Sequence, residues 1–118
     1  MEQKKLDALR EAARKIRIGI IEGTHAAKSG HPGGSLSIAD VLTYLYFEEM
    51  NIDPADPQKA DRDRFVLSSG HGSAMLYSLL HMFDYGLTIE DLKNFRQEGS
   101  KTPGHPEYRE VNGVEITT

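Results

Sequence analysis

The sequence predicts the leading, mostly helical part of a larger α/β domain, and three observations carry that prediction. Apolar residues recur at helical spacing in three segments of the chain. A single run, Phe65-Val66-Leu67-Ser68, reads as a strand, and it feeds through Gly70-His71-Gly72-Ser73 into a buried helix. The sequence then stops inside an extended-looking stretch, Val114-Glu115-Ile116-Thr117, without a terminating signal. One strand makes no sheet, and a complete α/β domain alternates strands with helices several times. Residues 1–118 are therefore expected to be a truncated N-terminal segment of one domain.

Each element has a local reason. Leu6, Leu9, Ala13, Ile16 and Ile20 fall on one stripe of an amphipathic first helix, with charged residues over the rest of its surface. The pattern fades at Gly23, and Ser29-Gly30-His31-Pro32-Gly33-Gly34 reads as turn. Ser37-Ile38-Ala39-Asp40 resembles a capping box that opens a second helix, with Ile38, Val41, Leu42, Leu45, Tyr46 and Met50 as its apolar side. Two prolines and three Asx residues make 51–57 a loop. The third helix runs from Ala74 to about Tyr85, apolar nearly all round, and Gly86 fits its stop. Thr88-Ile89-Glu90-Asp91 caps a short fourth helix through about Phe95, and loop follows from Gln97.

Composition narrows the function classes. The 118 residues hold 14 basic and 18 acidic side chains, a formal net charge of −4, and no cysteine. Mean hydropathy is −0.50. No apolar run approaches the ~20 residues that span a bilayer, so no membrane partner is expected. The opening Met1-Glu2-Gln3-Lys4-Lys5 lacks the apolar stretch of a secretory signal, and the cytoplasm is the expected compartment. Without cysteine there is no disulfide scaffold, thiolate zinc site or cysteine nucleophile. A net negative charge without a basic patch argues against nucleic acid.

The informative residues are histidines set in glycine turns. His31, His71 and His105 each follow a glycine, and six of the 11 glycines (30, 33, 34, 70, 72 and 104) lie in those loops. Glycine lets the backbone turn tightly and approach a ligand. Proline keeps Gly30-His31-Pro32-Gly33 and Pro103-Gly104-His105-Pro106 from continuing as helix. An imidazole offers one donor and one acceptor near neutral pH, which suits proton transfer and hydrogen bonding to hydroxyl or phosphate oxygens. Three other readings stay open on these residues alone. They are exposed turn residues, a three-imidazole zinc centre (though no H-x-x-x-H spacing supports it), and a phosphate site at the Gly70-His71-Gly72-Ser73 junction. His25 closes the first helix and His81 sits within the buried one, so both read as structural.

These motifs resemble those of the transketolase family. Ala27-Lys28-Ser29-Gly30-His31-Pro32-Gly33-Gly34 is similar to its first histidine motif, and Asp61 through Gly72 to its second. Phe95-Arg96-Gln97 with Thr102-Pro103-Gly104-His105-Pro106-Glu107 is similar to the third. Gly113-Val114-Glu115-Ile116-Thr117-Thr118 resembles the start of the cofactor-binding loop. Order and spacing are kept from about residue 10 onward, with Ser69 standing where many members have Asn.

The resemblance implies a thiamin-diphosphate-binding α/β fold, a parallel sheet between helices, and transfer of a two-carbon ketol unit between sugar phosphates. It implies thiamin diphosphate and Mg2+ as cofactors. His31, His71 and His105 would be catalytic; His71, Gly70 and Gly72 would bind the cofactor. The parent is expected to be a homodimer, or a heteromer with a separate C-terminal half. The family's Gly-Asp-Gly metal motif is not among these 118 residues, so no metal ligand is assigned here. The pyrimidine-binding domain with its activating Glu is missing from them too, so the chain alone is expected to be inactive. The competing expectation is a non-catalytic interaction module, or a folded remnant of such an enzyme.

Overall fold

The computed structural model describes residues 1–108 and 110–118. Four α-helices carry its regular structure: α1 (Gln3–Ala27), α2 (Pro32–Tyr44), α3 (Ser73–Met82) and α4 (Ile89–Lys93). A π-helical turn, Leu45–Glu49, continues α2, and a 3-10 turn, Gly70–Gly72, leads into α3. Among the described residues there is no β-strand. Phe65–Ser68 and Val114–Thr117, the two expected strand segments, run without ladder partners. A sheet exists only where strands pair, and these described residues bring no two such segments into register.

The predicted stripe of α1 is the packed one. Ala13, Ile16 and Ile20 are buried, and Leu6 and Leu9 are half-buried. The helix nevertheless runs past Gly23, where the sequence pattern fades, to Ala27. The reason is contact: a Cβ on Gly23 would come within 3.0 Å of the Leu92 carbonyl oxygen, so this glycine admits α4. The stop comes at Lys28, in the left-handed region at φ 52°. There the Lys28 and Ser29 N–H groups donate to the His25 and Thr24 carbonyls.

α2 begins earlier than its apparent capping box. Pro32 stands at its first turn, where a fixed φ and a missing N–H cost nothing, so Ser37-Ile38-Ala39-Asp40 lies inside the helix. Its packed face is also narrower than the sequence indicates. Ser35, Ala39, Leu42 and Tyr46 are buried, whereas Val41 is 62% exposed. Thr43 can be buried beside them because its hydroxyl donates to the Ala39 carbonyl at 2.7 Å.

α3 is the centre of the molecule, with α1, α2 and α4 all packed on it. Ser73 through Leu80 are buried without interruption, in keeping with a helix that is apolar all round. It ends at Met82, three residues short of the expected Tyr85. Asp84, at φ 69°, takes the left-handed position, and the Tyr85 N–H returns to the Leu80 carbonyl. Gly86 lies two residues beyond that stop, at φ 95°. α4 opens on the expected Thr88–Asp91 capping box and closes at Lys93, while Phe95 enters the core.

The α1–α3 contact depends on Gly19. A Cβ there would overlap the Ser78 hydroxyl and lie 3.2 Å from Ser78 Cβ. That hydroxyl is already committed, donating to the Ile16 carbonyl at 2.7 Å. Gly19→Ala is therefore expected to destabilise the fold by about 1–3 kcal/mol, the usual cost of overpacking. A urea titration should show a lower midpoint with an unchanged slope; an unmoved midpoint would contradict the packing argument.

Candidate functional site

The three histidine loops are each hung on α3 or its neighbours. The Met75 N–H donates to the Ser35 hydroxyl at 3.2 Å, which docks the start of α2 and places His31, the residue before Pro32, beside α3. Gly70–Gly72 is the entry to α3 itself, closed by the Gly72 N–H donating to the Ser69 carbonyl. The third loop is held at several points. The Tyr77 hydroxyl donates to the Pro103 carbonyl at 2.7 Å, the Ser73 hydroxyl to the Gly104 carbonyl, and the Thr102 hydroxyl to the Asp91 carbonyl at 2.8 Å. Burial pushes the Tyr77 phenol well above its ordinary pKa, and the nearby Glu107 and Glu110 carboxylates add to this, so it stays a donor.

These anchors bring the loops together. The rings of His31 and His71 meet edge to face, with centroids 5.7 Å apart and planes at 76°. A Cβ on Gly34 would sit 3.6 Å from His71 Nε2. A Cβ on Gly70, the residue before His71, would run into His105 Nδ1 and lie 2.9 Å from the Thr118 carbonyl carbon. His105 Nδ1 is 3.2 Å from the Thr118 carbonyl oxygen. The oxygen only accepts, so Nδ1 is the donor in this contact. All three histidines are exposed at the ends of these anchored loops.

The glycines divide by what surrounds them. Gly33 has open space where a Cβ would be. Gly72 is buried and turns towards Leu67 and Ile38, 3.6 and 3.8 Å from where its Cβ would stand. The histidines read as structural lie elsewhere: His25 is exposed in the last turn of α1, and His81 contacts the Leu87 carbonyl through Nδ1 at 2.6 Å. Among the described residues no group of three or more His, Cys, Asp or Glu could hold a metal ion. His31 and His71 thus meet ring to ring and His105 lies against Gly70, without forming a coordination shell among the described residues.

Sequence reasoning missed the anchors Ser35, Ser73, Tyr77 and Thr102. The signal was present in α3, because polar Ser73, Tyr77 and Ser78 stand in an otherwise apolar helix. Buried polar groups must find partners, and two of these find theirs in the third loop.

A family described as "Transketolase, thiamine diphosphate binding domain" matches residues 8–118. The chain belongs to the transketolase family. It is 51% identical over 113 residues to "Transketolase 1" of Vibrio parahaemolyticus, covering 96% of this chain and 17% of that protein. Its fold is similar to the solved transketolase of Leishmania mexicana, with a TM-score of 0.90 and 48% identity over 93% of this chain and 16% of that one. A Pichia stipitis transketolase solved in complex with sedoheptulose-7-phosphate is similar to it as well, with a TM-score of 0.89, 48% identity and the same coverage. The chain therefore spans about one sixth of the length of the transketolases it matches.

Proposed function

We propose that this chain is the leading part of the thiamine-diphosphate-binding domain of a transketolase that moves a two-carbon ketol unit from a ketose phosphate to an aldose phosphate. The observation that carries the reading is the convergence of the three histidine loops, with His31 against His71 and Gly70 against His105. The names of its relatives and the sugar phosphate held by the similar Pichia stipitis enzyme support the same chemistry.

The residues present fit such a cofactor and its sugar. Exposed imidazoles stand beside glycine backbone, and Gly33 leaves unfilled space where any side chain would project. When bound, thiamine diphosphate supplies the nucleophile and the electron sink of the reaction. His71 would contact the cofactor and the donor sugar, with Gly70 and Gly72 as its cofactor-binding neighbours in the turn that carries it. His105, whose Nδ1 faces Thr118, would hydrogen-bond the donor's terminal hydroxyl through Nε2. His31 would move the proton at the donor hydroxyl or the acceptor carbonyl. Mg2+ would accompany the diphosphate on ligands beyond these loops, and the parent would act as a homodimer or with a separate C-terminal half.

The test is an assay of the complete polypeptide carrying these residues, given a ketose phosphate, an aldose phosphate, thiamine diphosphate and Mg2+. Cofactor-dependent exchange of a two-carbon unit between the sugars is the expected product pattern; no exchange would overturn the reading. The 118 residues by themselves are expected to bind thiamine diphosphate and Mg2+ weakly at best, because no metal cluster forms among the described residues. Calorimetry that found tight binding to the isolated chain would refute this.

A further inference from the structure

The third histidine loop is bordered by a segment, 114–118, that has no strand partner among the described residues, yet it lies against His105 at a fixed place. What fixes it sits three residues back from Thr118. Arg62 Nε and Nη2 each reach the Glu115 carboxylate at 3.0 Å, a two-pronged pairing that sets direction as well as distance. The pair is shielded from water, with side chains 12% and 9% exposed, and Arg64 Nε adds a longer contact at 3.7 Å. Arg62 is itself braced, since its Nη1 donates to the Lys59 carbonyl at 2.9 Å. The loop around it is pinned by reciprocal bonds between Asn51 and Asp63, at 2.7 and 2.8 Å.

Beyond Glu115 the segment is tied to the third loop residue by residue. The Thr117 hydroxyl accepts from the Tyr108 N–H at 2.7 Å, and the Thr118 N–H donates to the Pro106 carbonyl at 3.1 Å. We propose that Glu115, held by Arg62, is a positioning residue for His105: it fixes the 114–118 segment, which is bonded through Thr117 and Thr118 to the loop that carries the His105 ring. The role in turnover rests on the transketolase reading above; the clamp itself does not.

The test uses two variants of the complete polypeptide. Glu115→Gln keeps the shape and removes the charge. The double variant Arg62→Met with Glu115→Leu removes both buried charges together, which keeps the fold where a lone unpaired charge would strain it. In each, hydrogen exchange of peptides covering 106–118 is expected to rise about tenfold while 73–80 stays as in the wild type. Donor kcat/KM should fall on the order of 10- to 100-fold, the scale of a misplaced catalytic group. Unchanged exchange over 106–118 in both variants would overturn the clamp. Faster exchange everywhere, or local loosening with wild-type kcat/KM, would overturn the positioning role. If the wild-type polypeptide transfers no ketol unit, the functional reading fails, and local loosening of 106–118 still supports the clamp.

Discussion

Turnover of the complete polypeptide should fall on the order of 10²- to 10⁴-fold in His71→Ala, the range of a lost acid–base group, and stay near wild type in His81→Ala. The two histidines lie at opposite ends of α3 and differ in everything the chemistry needs. His71 precedes the helix, is exposed, meets the His31 ring edge to face and stands beside Gly34 of the first loop. His81 lies in the last turn, half-buried, its Nδ1 engaged by the Leu87 carbonyl at 2.6 Å. Removing His81 leaves that carbonyl short of a partner and should cost about 1–3 kcal/mol of stability instead. Steady-state kinetics beside denaturant melts separate the two effects. Equal losses of turnover in variants of equal stability would erase the distinction between site and scaffold.

Gly70→Ala is expected to lower kcat/KM on the order of 100-fold through a single methyl group. The backbone at Gly70 has no left-handed φ, so the substitution is not a matter of backbone strain. Its methyl would occupy the space of His105 Nδ1 and press on the Thr118 carbonyl, 2.9 Å from the carbon and 3.0 Å from the oxygen. Either the imidazole or the Thr118 backbone must move, and the 3.2 Å contact between them is lost. A double-mutant cycle with His105→Ala provides the check. If the damage runs through His105, the second substitution adds little to the first; fully additive losses would show that Gly70 matters for another reason.

Helices and motif loops were legible in the sequence because their signals are local. The Leu6–Ile20 stripe, the Thr88–Asp91 box and the buried Ser73–Leu80 run each follow from neighbours within a turn or two. Errors came where a distant contact decided the outcome. Gly23 continues α1 because α4 approaches it, and Val41 faces outward although its type fits the apolar side. The strand reading of Phe65–Ser68 rested on residue type, and pairing depends on partners that a run of four residues does not name. At the site, the three histidines could be picked out by their glycine neighbours. Their mutual arrangement could not, because it depends on Ser35, Ser73, Tyr77 and Thr102 bonding across the fold.

The bond from Ser78 to Ile16 joins residues 62 positions apart, and this sets a schedule during synthesis. At about 5–20 residues per second, the packed stripe of α1 leaves the ribosome on the order of 10 s before the helix that seals it exists. For that interval Ile16 and Ile20 have only α2 to cover them, and the loop bearing His31 has nothing to stand against. Such a nascent chain is a natural client for a chaperone until α3 has emerged. Substitutions that weaken α3 would then be felt first as lost yield, before any change in the chemistry of the protein that does fold.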